Sequence, residues 1–139
     1  MYTGIEKYKS KRFLPFVFLF FLSIDQATKI LSPSVYRNYN FAFSLPLPTA
    51  AMYTIYFLAI GYIIFFMKRN FYSLGSVSQM AWMAILSGAV SNVGERIVLG
   101  FVRDWIYVLN GVFNLADGFI ILGILVLLFN PKSQYLNSK

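Results

Sequence analysis

The sequence predicts an all-α membrane protein of four transmembrane helices, with one turn-rich segment suited to short strands at the membrane surface. Three observations predict it. Of 139 residues, 58% are hydrophobic and only 12% are charged, against roughly 25% charged residues in soluble domains. The mean hydropathy is +0.63. The apolar residues also gather into separate runs, and a hydrocarbon core of about 30 Å takes roughly 20 such residues per helix. Four spans and their links then use the whole chain. We read residues 1–139 as a single integral-membrane domain with spans at about 13–31, 50–67, 77–99 and 111–129.

Taken in order, the chain opens on a basic segment, with Lys7, Lys9, Lys11 and Arg12 ahead of the apolar run from Phe13 to Ile24. That run continues through Asp25 and Lys29 to Leu31. A basic start before an apolar core also describes a secretory signal peptide. No small-x-small cleavage site follows, and Asp25 and Lys29 interrupt the place for one, so the run is read as an uncleaved first span. Residues 32–49, SPSVYRNYNFAFSLPLPT, hold three prolines among aromatic and Asn residues. That composition opposes a continuous helix and fits short strands or a turn-rich loop. The second span closes on Lys68 and Arg69, and a polar link over 70–76 leads into the third. A further link over 100–110 precedes the fourth span, which Asn130 and Pro131 stop.

The charge pattern sets an orientation. Eight of the twelve basic residues (Lys7, Lys9, Lys11, Arg12, Lys68, Arg69, Lys132 and Lys139) fall on the amino terminus, the second link and the tail. Positive residues favour the cytoplasmic side, which puts both termini inside and the first and third links outside. The net charge of +7 is therefore a topology signal, and no nucleic-acid partner is expected. The other basic residues, Lys29, Arg37, Arg96 and Arg103, lie toward the outer side. So do four of the five acids, Asp25, Glu95, Asp104 and Asp117. Charge that a bilayer rejects is thus concentrated at one end of the bundle, where a functional site is expected.

The chain has no Cys and no His, which excludes thiol chemistry and leaves acid–base work at neutral pH to carboxylates, Lys or Tyr. No metal or cofactor is expected. Asp25 and Lys29 are four apart on one helix face and read as a local ion pair, with Lys29 also able to meet lipid phosphate or substrate. Asn92 and Arg96 share that spacing. Arg96 needs partners, for which Glu95, Asp104, Asp117 and Asp25 are the available acids, and Glu95 itself suits an interfacial position. Gly88 and its small neighbours Ser87, Ala89 and Ser91 read as helix packing. Asn114 and Asp117 share a face near the start of the fourth helix, where the dipole favours a carboxylate. If Asp104 folds back beside Asp117, one acid keeps its proton while the other stays ionised. Such a pair can take a proton from water and give one to a leaving amine, which hydrolyses a peptide without His, Cys or metal.

These residues resemble the motifs of the lipoprotein signal peptidases (signal peptidase II, membrane aspartic peptidases). Asp25 to Lys29 is similar to a D-x-x-x-K block, and Asn38-Tyr-Asn-Phe-Ala-Phe-Ser44 to N-x-G-A-A-F-S. Gly88 to Arg96 resembles G-A-x-x-N-x-x-D-R, Gly100 to Trp105 resembles G-x-V-x-D-F, and Phe113 to Asp117 resembles F-N-x-A-D. The resemblance implies four helices with a small extracytoplasmic β-cradle formed by residues 32–49. It implies an aspartic endopeptidase at the outer face of the bacterial cytoplasmic (inner) membrane. That enzyme removes the signal peptide of a prolipoprotein before its diacylglyceryl-modified Cys, so its partners are the lipid-modified precursor and membrane lipid. Asp104 and Asp117 match the catalytic pair, and Asp25, Lys29, Asn38, Asn92, Arg96 and Asn114 match supporting or substrate-binding positions. The chain departs from the pattern at Asn40 for Gly, Glu95 for Asp and Trp105 for Phe, and its link between the two catalytic blocks is short. Asn40 suits a left-handed backbone where the pattern has Gly. Two alternatives compete: a small proton- or ion-coupled transporter using the same acids as a relay, and an inactive relative that binds precursors without cutting them.

Overall fold

The structure, a computed structural model, describes residues 4–41 and 45–130, with side chains from Phe13 onward apart from Tyr72. Residues 42–44 of the Asn38–Ser44 block, Pro131 and the tail with Lys132 and Lys139 lie outside the described residues, as do the side chains of Lys7, Lys9, Lys11 and Arg12. Four helices make up most of the fold: α1 (Gly4–Leu31), α2 (Thr49–Asn70), α3 (Ser76–Leu99) and α4 (Leu115–Phe129). Among the described residues, α1 over Phe13–Leu31 and the whole of α2 are long and apolar enough to cross a membrane. Exposed Phe16, Phe20, Leu58, Phe65, Leu122 and Leu128 cover their outer faces and that of α4, as expected of helices bathed in hydrocarbon.

The third helix is different in kind. It packs against all three others, and it buries Ser78, Gln79, Ser87, Ser91, Asn92, Glu95 and Arg96 along with its apolar residues. Its polar content suits a central position, where neighbouring helices supply hydrogen-bond partners that lipid lacks. Gly100 ends it at φ 82°, donating its N–H to the Arg96 carbonyl at 3.1 Å. Only glycine adopts that left-handed cap at little cost. At the opposite end of the bundle, Leu14, Val17, Phe71, Leu74 and Met83 form an apolar core.

Short strands occupy the end where α3 finishes. β1 (Tyr36–Asn38) pairs antiparallel with β2 (Val102–Asp104), setting Tyr36 opposite Asp104 and Asn38 opposite Val102. β3 (Ile106–Val108) pairs antiparallel with β4 (Gly111–Phe113), and the Trp105 N–H reaches the Phe113 carbonyl at 2.9 Å. Three of these four strands come from residues 102–113, which the sequence reading treats as a polar link and the start of a helix. Within the described part of residues 32–49, only β1 is a strand. The pattern was hidden because three-residue strands are too short to show alternation. The fourth helix accordingly starts at Leu115 and not near Gly111, since Asn114 is its cap. Asn40 also adopts no left-handed backbone; the non-glycine residue with positive φ among the described residues is Leu109, at 50°.

Close approach of α3 and α4 holds the two helices together along their length. A Cβ on Gly88 would lie 2.5 Å from the Ala116 carbonyl oxygen, and one on Gly123 would lie 2.8 Å from the Ala81 carbonyl oxygen. Small residues at these crossings are what let two backbones touch. Gly94, by contrast, faces open space. Gly88→Ala is therefore expected to destabilise the fold by about 1–3 kcal/mol through overpacking, whereas Gly94→Ala stabilises its helix by up to about 1 kcal/mol. Unfolding temperatures of the two variants in detergent, moving in opposite directions from the wild type, check this.

Candidate active site

Asn114 organises the site. As the cap of α4 it accepts the Asp117 N–H on its side-chain oxygen at 3.0 Å, while its own backbone N–H donates to Asp117 Oδ2 at 3.2 Å. This is a reciprocal capping box, which satisfies donors that a helix start would otherwise leave bare. The amide nitrogen of the same side chain donates to Asp104 Oδ1 at 2.5 Å. One asparagine thus joins the two acids, one from β2 and one from the first turn of α4.

The remaining carboxylate oxygens are met by two further amides. Asn38 on β1 donates to Asp104 Oδ2 at 2.8 Å, and Asn92 on α3 donates to Asp117 Oδ1 at 2.9 Å. Each amide is oriented in turn. The Asn40 N–H occupies the Asn38 side-chain oxygen at 3.0 Å, and Lys29 Nζ occupies that of Asn92 at 2.9 Å. Asp104 is 1% exposed. Burial pushes its carboxyl up to about 6, helped by the nearby Asp117 charge and opposed by the amides of Asn38 and Asn114 and the more distant charge of Lys29.

Asp25 and Lys29 lie behind this pair and not on its open side. Asp25 Oδ2 accepts from Lys29 Nζ at 2.8 Å and from the Ser91 hydroxyl at 2.5 Å, and Oδ1 accepts the Ala116 N–H at 2.8 Å. A carboxylate from α1 therefore sits on the positive end of α4, where the helix dipole favours it. Lys29 is 1% exposed, which removes the expectation that it meets lipid phosphate.

A cavity of about 480 Å³ opens beside the acids. Asn38, Asn92, Arg96, Asp104, Asn114 and Asp117 line its polar end, and mostly apolar side chains, Ile55, Ile63, Ile85, Ile120 and Ile124 among them, line the rest. Its size and mixed lining are those of a ligand site. Arg96 does not find the acid partner that the sequence suggests. Its guanidinium donates to the Asn40 carbonyl at 2.7 Å and to the Asn92 carbonyl at 3.4 Å, and it lies over the Tyr56 ring at 5.2 Å. Its buried Nε has no hydrogen-bond partner among the described residues.

All eight residues singled out from the sequence converge here, six on the cavity wall and two behind it. Residues 17–131 match the profile of the family described as signal peptidase (SPase) II. The chain belongs to the signal peptidase II family. A lipoprotein signal peptidase of Caldicellulosiruptor bescii is 36% identical over 101 residues, 72% of this chain and 66% of that protein. One from Fusobacterium nucleatum is 29% identical over 85 residues, 55% of this chain and 52% of that protein. The chain thus spans between about half and two thirds of the length of these relatives. A bacterial membrane enzyme, solved by the in meso method at 2.3 Å, has the same fold, with a TM-score of 0.74 at 20% identity and 91% of each chain covered. Membership of the signal peptidase II family gives the transporter alternative no support.

Sequence reasoning missed the residues on the second polar face of α3. Glu95, expected at the interface, is 5% exposed and pairs with Lys29 and Arg103. Ser91, taken as packing, accepts from Gln26 at 2.7 Å and donates to Asp25. The signal was present: Ser91 and Glu95 are four apart, like Asn92 and Arg96, so α3 carries two polar stripes side by side.

Lys29 neutralises two buried carboxylates and orients Asn92, so Lys29→Met is expected to cost about 3–5 kcal/mol by leaving charge uncompensated. The exposed Lys68 serves as control. Thermal unfolding in detergent should show a large loss for Lys29→Met and little change for Lys68→Met.

Proposed function

We propose that this chain is an aspartic endopeptidase that removes signal peptides from diacylglyceryl-modified prolipoproteins, cutting before the lipidated Cys. The observation that carries the reading is the attachment of Asp104 and Asp117 to one asparagine at the mouth of an apolar cavity, in a chain of the signal peptidase II family. We assign the catalytic roles to these two acids. Asn38, Asn92 and Asn114 aim them, Asp25 and Lys29 hold that arrangement from behind, and Arg96 on the cavity wall faces the substrate.

The two acids divide the work by protonation. Asp104, raised to about 6 by burial, carries the shared proton and donates a hydrogen bond to the scissile carbonyl oxygen. Ionised Asp117 takes a proton from a water whose oxygen attacks the carbonyl carbon. The tetrahedral intermediate then collapses, the C–N bond breaks, and a proton passes to the leaving amine of the Cys. The apolar cavity, walled over Ile55 to Ile63 on α2 for about 12 Å of helix, takes an acyl chain of the lipidated residue. All four helices cross the bacterial cytoplasmic membrane in this reading, with both termini cytoplasmic and the strands forming a cradle at the outer face.

The test is incubation of the chain with a diacylglyceryl-modified prolipoprotein. Asp104→Asn and Asp117→Asn should each abolish cleavage while the protein still inserts and folds; full cleavage by either variant would refute the assignment. The pH profile follows from the same proton. The active pair holds one proton, Asp104 releases it near 6, and so kcat/KM of the wild type should fall as pH rises through about that value. A profile flat from pH 5 to 8 would contradict the role given to Asp104.

A further inference from the structure

Glu95 lies on the face of α3 turned away from the cavity, yet it touches the supports of both acids. Its Oε2 accepts the backbone N–H of Arg103 at 2.9 Å, and its Oε1 accepts the Arg103 guanidinium at 2.6 and 2.8 Å. Arg103 Nη2 also donates to Gln26 Oε1 at 3.0 Å, tying the clasp to α1. Arg103 immediately precedes Asp104 in β2, so a grip on both its main chain and its side chain fixes the strand that carries the acid. On its other side Glu95 lies 3.3 Å from Lys29 Nζ, and Lys29 holds Asn92, which holds Asp117.

The strand pairing makes this grip necessary. Arg37 stands directly opposite Arg103 in the β1–β2 ladder, and like charges opposite each other push strands apart. Arg37 lies over the Phe101 ring at 5.1 Å, and Arg103 is claimed by Glu95. Splaying of β1 from β2 would separate Asn38 from Asp104. The side chain length matters too: a glutamate, one methylene longer than aspartate, spans from α3 to the backbone and the guanidinium of Arg103 at once.

We propose that Glu95 is a positioning residue for the acid pair, fixing Asp104 through Arg103 and Asp117 through Lys29 and Asn92. The proposal rests on the peptidase reading above, and its test separates the two. Glu95→Gln and Arg103→Leu, alone and together, are compared with the wild-type chain in lipid nanodiscs on a diacylglyceryl-modified precursor. Because Glu95 does not line the cavity, each single variant should lower kcat about tenfold with KM within about twofold. The double variant should be no worse than the weaker single, because both changes break one clasp. The fall in kcat/KM near pH 6 should also move to lower pH, as a loosened β2 admits water to Asp104. Additive losses, a change confined to KM, or an unmoved pH profile would overturn the proposal. If the wild type cuts no lipidated precursor, the peptidase reading fails and amide hydrogen exchange decides the clasp. Slow exchange at Arg103 that becomes fast in Glu95→Gln supports it, and equal rates overturn it.

Discussion

A carboxylate set beside hydrocarbon must have a donor for each oxygen, and that constraint governs the end of the bundle where α3 finishes and α4 begins. Asp104 and Asp117 meet it with neutral amides, from Asn38, Asn92 and Asn114. Asp25 meets it with an ammonium, a hydroxyl and a helix-end N–H. The difference bears on the chemistry we propose. Amides orient Asp104 without neutralising it, which leaves its proton affinity open to burial, whereas Asp25 is paired with the Lys29 ammonium.

These bonds join five elements that no sequence-local interaction would bring together. From β1 the series runs Asn38, Asp104, Asn114, Asp117, Asn92, Lys29, Asp25, and returns to α4 at the Ala116 N–H. Its members come from α1, β1, α3, β2 and the start of α4. The geometry is possible because α3 and α4 approach through Gly88 and Gly123, which brings the cap of α4 against the polar stripes of α3. Packing of small residues and polarity of the buried stripes are thus one device seen from two sides.

Much of this was legible in the chain itself. The four helices came from the apolar runs, the acid pair from its cost in a membrane, and the residues gathered around it from four-residue spacings and family motifs. What the sequence concealed has physical reasons. Strands of three residues leave no period to read, so β2, β3 and β4 looked like a link. Arg96 looked as if it needed an acid, because a sequence shows charged side chains but not the main-chain carbonyls that accept from it here. Glu95 looked like a departure beside Arg96, while its partners proved to be Lys29 on α1 and Arg103, eight residues on and reached only when α3 has turned into β2.

The chemistry proposed for this site asks that two acids, fixed by three asparagines, face the same reacting atom. A lipidated precursor peptide whose scissile amide is replaced by a hydroxyethylene group puts one hydroxyl where the attacking water would sit. The structure of that complex measures the claim directly. The account predicts the hydroxyl within about 3 Å of both the Asp104 and the Asp117 carboxyls, with an acyl chain of the lipid in the apolar cavity. A hydroxyl bound to one acid alone, or a lipid lying outside the cavity, would contradict it.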